Sequence, residues 1–89
     1  MQAQRTMVTD SQLDTMVFLA VDEMVEKQVS FTAHDVTTAL RVENTTLEIE
    51  HPRVKAVLKT ILSDGEMPGY ELKPDDSLPG SPLRYQKGS

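Results

Sequence analysis

Two short stretches of the chain hold cations and no acid: residues 51–63 and residues 79–89. Their cations are Arg53, Lys55, Lys59, Arg84 and Lys87. Lys and Arg side chains neutralise phosphate groups, and Arg can also donate two hydrogen bonds to one guanine. The chemistry that these stretches could perform is therefore non-covalent binding of a phosphate-bearing partner. The rest of the chain is acidic, since the formal net charge is −5. A nucleic-acid interface would have to be confined to these two stretches.

Few residues of the chain are suited to catalysis or to metal binding. There is no cysteine, which excludes disulfides and thiolate ligands. The two histidines, His34 and His51, are not spaced as HxxxH or HExxH, and no glycine-rich phosphate loop is present. We therefore expect no enzyme, no cofactor and no metal site. Residues 1–10 contain no apolar signal segment and no run is long enough to span a bilayer, so we expect a cytoplasmic protein.

Apolar spacing and capping residues predict three helices. Residues 1–8 have no periodicity and are expected to be a mobile arm. The first helix covers about 10–28, with Thr9 and Gln12 placed as a capping box. Its buried stripe is predicted to be Leu13, Met16, Val17, Ala20 and Met24. The second helix covers about 32–41, with Thr32 as N-cap and Asp35 three residues later. The third covers 51–63, with Pro52 in its first turn.

The remaining segments predict three short strands and two connections. A β-prone run at 29–31 precedes the second helix, and alternating residues at 70–73 and 83–86 predict a hairpin. Leu83 and Tyr85 would face the interior, and Phe31 and Tyr85 would be core aromatics. Residues 74–82 are rich in Pro, Gly, Ser and Asp, and form a long loop between the two strands. The connection over 42–50 is longer than the turn of a tight helix-turn-helix.

This order of elements, over residues 10–87, resembles the winged helix-turn-helix superfamily. The resemblance implies an α+β, mainly helical fold: a three-helix winged helix-turn-helix with a C-terminal β-hairpin wing, forming one domain over 9–87. It implies that 51–63 is the recognition helix, that 74–82 is the wing and that 29–31 is the strand before helix 2. Most members of the superfamily regulate transcription by placing the third helix in the major groove of DNA, and a minority bind proteins.

Two functions follow as expectations. The first is a small, sequence-specific DNA-binding transcription regulator. Its contact residues would be His51, Arg53, Lys55, Ala56, Lys59, Thr60, Ser77, Ser81, Arg84 and Lys87. Arg53 would read bases, the two lysines would hold phosphates, and Ala56 would allow close approach to the groove. The second is a protein-binding adaptor or inhibitor that uses its acidic surface. The helix-3 cations could equally be a solvated face of an amphipathic helix.

The first helix carries more apolar surface than one core stripe needs. Phe18, Val21 and Val25 lie to one side of Leu13 on the helical wheel. We expect these three residues to form a homodimer interface, which would present two copies of helix 3 to successive major grooves. The alternative is that the helix is buried on two sides within one domain.

Overall fold

Three helices and five short strands make up the fold in a computed structural model, which describes residues 6–75, 77, 79–80 and 82–88. The elements in chain order are β1 (Thr6–Met7), α1 (Asp10–Glu26), β2 (Phe31–Thr32), α2 (Ala33–Glu43), β3 (Leu47–Glu48), α3 (His51–Ser63), β4 (Tyr70–Pro74) and β5 (Leu83–Lys87). The predicted α+β, mainly helical class is confirmed. No helix within the described ranges is both long enough and apolar enough to cross a bilayer.

Local hydrogen bonds begin the first two helices where the sequence predicts. The Thr9 hydroxyl accepts from the Gln12 backbone N–H, and the Gln12 side chain accepts from the Thr9 backbone N–H, each at 3.1 Å. Thr32 and Asp35 make the same reciprocal pair at 3.0 Å at the start of α2. These capping boxes satisfy backbone donors that a helix end would otherwise leave unpaired.

The C-terminal hairpin is joined to the helices by one antiparallel sheet of order β2-β5-β4. Phe31 pairs with Tyr85, and Leu72 pairs with Tyr85 from the other side. The strand that precedes α2 is therefore hydrogen-bonded to the last strand of the chain. This pairing holds the start of α2 beside the base of the hairpin loop.

Aromatic side chains fill the space between the sheet and the helices. The Phe31 and Tyr85 rings stack with centroids 5.2 Å apart, and Tyr70 lies 5.9 Å from Phe31. Phe31 and Tyr85 are buried, which confirms their prediction as core aromatics. The other apolar residues of the core are Val8, Leu13, Val17, Val21, Ala33, Val36, Leu40, Ile49, Val54, Leu58, Ile61, Met67 and Tyr70.

The arm predicted over 1–8 is wrong for its last three residues. Thr6–Met7 pairs in parallel with Leu47–Glu48, and Val8 is 1% exposed. The segment is anchored because the connection after α2 contains β3, which offers a strand edge to it. Residues 1–5 lie outside the described part of the chain.

Two smaller predictions about the strands also need correction. The prediction that Leu83 faces the interior is wrong. It lies on the same side of β5 as the buried Tyr85, but at the loop end of the strand, where it is 41% exposed. The first strand was placed at 29–31, whereas it begins at Phe31 and Val29 is largely exposed. The pattern of apolar residues identified the strand regions, but not where the first strand begins or how far the core covers the last one.

The two core tyrosines provide a matched pair for testing these contacts. The Tyr70 hydroxyl donates to the Val29 carbonyl oxygen at 2.7 Å, whereas the buried Tyr85 hydroxyl has no hydrogen-bond partner among the described residues. Tyr70→Phe should lower the free energy of unfolding by about 1 kcal/mol. Tyr85→Phe should leave it unchanged or raise it by up to ~1 kcal/mol, because the buried hydroxyl gains nothing for its lost hydration. Urea unfolding at constant slope measures both, and equal losses would contradict the assignment.

Candidate nucleic-acid interface

The outer side of α3 exposes two lysines and no acid. Val54, Leu58 and Ile61 turn inward, so the opposite side of the helix exposes Pro52, Lys55, Ala56 and Lys59. We call these four exposed residues the lysine face. Residues 51–63 contain no acid, and neither lysine forms an ion pair with any described residue. Both ammonium groups are therefore available to an external anion.

A cleft of about 450 Å³ lies beside the lysine face. The starts of α2 and α3 and the start of β5 line it, and we call it the α2–α3 cleft. Its basic side chains are His34, His51, Lys55 and Arg84. The two imidazole rings meet edge to face with centroids 6.5 Å apart. Because two helix N-termini open here, their partial positive charge adds to that of the side chains.

The same cleft also contains one carboxylate, that of Asp35. Its oxygen accepts from the Thr32 backbone N–H and lies 3.9 Å from Arg84 Nη1. This oxygen is thus directed to its own helix cap and to Arg84. The acid lowers the potential of the cleft, but it is already neutralised in part by its neighbours.

Arg84 is tied to the base of the hairpin loop, although it was predicted to hold phosphate. Its Nε donates to Asp75 at 2.9 Å, and its side chain is 24% exposed. The Ser77 hydroxyl and the Arg84 guanidinium, together with the Ser77 backbone N–H, donate to Asp75 and hold the pKa of that carboxyl below its ordinary value. Ser77, another predicted phosphate contact, therefore donates its hydroxyl to Asp75. These bonds join Asp75, Ser77 and Arg84 to one another at the base of the loop.

Arg53, the predicted base-reading residue, is also engaged inside the fold. Its Nη1 donates to the Val8 carbonyl oxygen at 2.9 Å and its Nη2 to Asp10 at 2.7 Å. The guanidinium joins α3 to the segment between β1 and α1. Arg53 lies on the side of α3 that faces α1, and its partners are 43 to 45 positions away in sequence. The base contact stays a prediction, and it would require these hydrogen bonds to be exchanged.

The other residues predicted to contact DNA lie on different surfaces of the fold. Thr60 is exposed on the α1 side of α3, and Ala56 lies between that side and the lysine face. The Thr60 hydroxyl donates to the Ala56 carbonyl oxygen at 3.2 Å. Lys87 pairs with Tyr70 at the far end of β5, about 10 Å along the strand from Arg84, so it does not reach the cleft. Ser81 lies outside the described residues. His34 was not predicted to line this cleft, because its position in the first turn of α2 does not reveal that His51 of α3 lies beside it.

The predicted dimer surface is not a single exposed facet. Val21 is 2% exposed and belongs to the core, and Val25 is half-buried against that core. Phe18 is 42% exposed and Leu19 is 63% exposed, so the apolar surface of α1 that reaches solvent is formed by these two neighbours. The helical wheel places Val21 outside the predicted buried stripe. The buried residues of α1 are instead Leu13, Val17 and Val21, because both α2 and α3 pack on this helix.

No protein-family model, curated protein or solved structure matches this chain. The functional interpretation therefore depends on the geometry of the surfaces themselves. Within the ranges that the structure describes, no three His, Asp or Glu side chains converge as metal ligands would.

The role of Arg53 can be tested by stability alone. Arg53→Ala removes two charge-assisted hydrogen bonds and should lower the free energy of unfolding by about 1.5–3 kcal/mol. Lys59→Ala, on the same helix but with no ion pair among described residues, should change it by less than about 0.5 kcal/mol. Thermal or urea unfolding of both variants decides the matter. Equal stabilities would show that Arg53 does not anchor the N-terminal segment.

The Asp75 cluster predicts a specific response to acid. Its pKa in the folded state lies below the ordinary 3.8, so its stabilising contribution is fully present above that value. That contribution decreases as the pH falls below the ordinary value and is lost once the pH passes through the lower folded-state pKa. Protection of the Arg84 Nε–H from hydrogen exchange should fall over the same range. Asp75→Asn should remove this pH dependence; a response that persists in the variant would assign it to another group.

Proposed function

We propose that this chain is a winged helix domain that binds duplex DNA through the lysine face of α3 and acts as a transcription regulator. The observation that carries the proposal is the pair Lys55 and Lys59, exposed on a helix that contains no acid and unpaired with described residues. Phosphate neutralisation by such cations supplies most of the affinity of non-specific DNA binding.

The order and pairing of the elements support the winged helix assignment. Along the chain, strand β2 precedes α2, α3 comes after α2, and the β4–β5 hairpin is last. In the sheet, β5 lies between β2 and β4. Pro82, Leu83 and Arg84 line the α2–α3 cleft together with residues at the start of α3. The base of the hairpin loop thus lies beside the N-terminal end of α3, as a wing lies beside a recognition helix.

The shape of the lysine face suits the major groove. The groove is about 12 Å wide and admits an α-helix. Ala56 and Pro52 are small, so the helix can approach the groove floor between the lysines. Lys55 and Lys59 are one turn apart, about 6 Å along the axis, and can contact phosphates or a guanine edge. His34 and His51 line the adjacent cleft, and in this proposal they would contact the neighbouring phosphates of the DNA.

The charge balance sets limits on this binding. Arg53 and Arg84 are engaged internally, so few cations remain for phosphates, and the remaining surface repels DNA. We expect weak binding per chain that is oriented by α3. With two to four phosphate contacts, the logarithm of the association constant should fall with the logarithm of salt concentration with a slope of about −2 to −4.

The test compares two double variants with the same change in net charge. Lys55→Ala with Lys59→Ala removes the lysine face. Lys27→Ala with Lys73→Ala removes two exposed lysines that pair with Glu23 and Glu71 on other surfaces. Fluorescence anisotropy with a mixed-sequence duplex at low salt should show affinity lowered about tenfold or more in the first variant, and a salt slope smaller by about 2. The second variant should bind nearly as the unmodified chain does.

Three outcomes would count against the proposal. Equal losses in the two double variants would mean that the binding has no preferred surface. Absence of duplex binding at low salt would remove the proposal outright. Selection from a random duplex pool that enriches no motif would retain DNA binding but remove its sequence-specific, regulatory part.

A further inference from the structure

A second surface of α3, on the side that faces α1, forms an apolar groove of about 600 Å³. Phe18 and Leu19 form its α1 wall, and Ala56, Val57 and Ile61 form its α3 wall. Phe18 and Leu19 are among the exposed large apolar residues of the described chain. Apolar side chains gathered in a concave site between two helices typically mark a binding surface, whereas single exposed ones are common.

The rim of this groove is acidic. Asp14, Asp64 and Glu66 line it and are exposed. None of the three is in an ion pair with a described residue. We call this site the acid-rimmed groove. Three unpaired carboxylates around an apolar floor favour an occupant that is apolar at its centre and cationic at its edges.

A neighbouring groove between α1 and α2 lacks this combination. It is of similar size, about 570 Å³, and is lined by Met16, Met24 and other apolar residues. On its rim Glu23 and Lys27 pair with each other at 2.9 Å. Glu43 is the one carboxylate of that lining without an ion pair to a described residue, against three in the acid-rimmed groove, so a cationic occupant is favoured less there. The comparison distinguishes the acid-rimmed groove from apolar surface in general.

We propose that the acid-rimmed groove binds a basic amphipathic helix of a partner protein. The α1 wall extends over residues 14–19 and the α3 wall over residues 56–64, so the site is about 8–12 Å long. It would accept two turns of helix, with apolar side chains at i, i+3 and i+4 against Phe18 and Leu19. Lys or Arg residues flanking that apolar stripe would meet the three carboxylates.

Helices α1 and α3 of a second copy do not satisfy the same requirements. The α1 sequence carries five acids and no cation, so two α1 helices facing each other would bring like charges together. The cationic helix α3 has none of the exposed large apolar residues of the described chain. Neither helix can therefore present apolar and basic groups together. This inference is independent of DNA binding, since neither Lys55 nor Lys59 lines the acid-rimmed groove.

The test uses a synthetic, fluorescein-labelled helical peptide of about 14 residues with Leu along one face and Lys on both flanks. A second peptide has Glu in place of every Lys, and a third has Ser in place of every Leu. The full chain should bind the Leu/Lys peptide at low salt and neither of the others. Phe18→Ser should weaken this binding about tenfold or more, because it removes the central apolar anchor. Thermal unfolding monitors whether the variant remains folded.

Charge reversal provides a second test that does not depend on the Phe18 variant. Asp14→Lys with Glu66→Lys should transfer the preference from the Leu/Lys peptide to the Leu/Glu peptide. Asp22→Lys with Glu43→Lys makes the same change in net charge on exposed residues outside the groove, and should leave the preference unchanged. Lys55→Ala with Lys59→Ala should also retain peptide binding, which separates this site from the DNA surface.

Several outcomes would overturn the proposal. These are no binding of the Leu/Lys peptide at millimolar concentration, binding unaffected by Phe18→Ser, and an equal change of preference in the two charge-reversed variants. Sedimentation that gives a mass of two chains for the unmodified protein and of one chain for Phe18→Ser would overturn it too. In that case the groove would be occupied by a second copy.

Discussion

The stacking of Phe31 on Tyr85 is the interaction on which the position of the C-terminal hairpin depends. Phe31 begins the strand that leads into α2, and Tyr85 lies in the middle of the last strand. Without this contact, the hairpin would have only its own two strands, which are marginal in water. With it, the base of the hairpin loop is held beside the first turns of α2 and α3. The α2–α3 cleft exists because residues 54 positions apart in sequence are packed ring on ring.

The described cations divide by what surrounds them. Lys27, Lys73, Arg53 and Arg84 have carboxylate partners, and two of them join distant parts of the fold. Arg41 donates to the Ile49 carbonyl oxygen. Lys55, Lys59 and Lys87 have no carboxylate partner among the described residues, and the first two lie together on α3, which contains no acid. An acidic protein can thus keep one cationic surface by placing its acids elsewhere. Formal net charge describes the average field at long range, whereas the distribution of unpaired charge decides which surface an anion meets.

Helix α3 contributes to three environments at once. Its inward side packs in the core, its outer side carries the lysines, and its α1 side forms one wall of the acid-rimmed groove. Ala56 lies at the border of the last two. Its small side chain leaves room for a partner to approach the helix closely from either side. A short helix can support two external surfaces of opposite charge preference when the acids come from neighbouring elements, here Asp14 on α1 and Asp64 and Glu66 after α3.

Spacing and residue type were enough to predict the features that arise from contacts between near neighbours. The Thr9–Gln12 and Thr32–Asp35 capping boxes, the bounds of α3 and the burial of Phe31 and Tyr85 follow from spacing and residue type. The surroundings of Arg53 and Val21 depend on tertiary contacts and could not be predicted in this way. The residue type and position of Arg53 suit a base contact, so the sequence predicts one. Its hydrogen-bond partners, Val8 and Asp10, come from a part of the chain where the sequence shows no periodicity that would reveal the contact. Val21 was assigned to a dimer because a helical wheel shows one helix and not the two that pack on it. Periodicity reports which residues share a face, whereas the partner of that face depends on contacts between residues far apart in the chain.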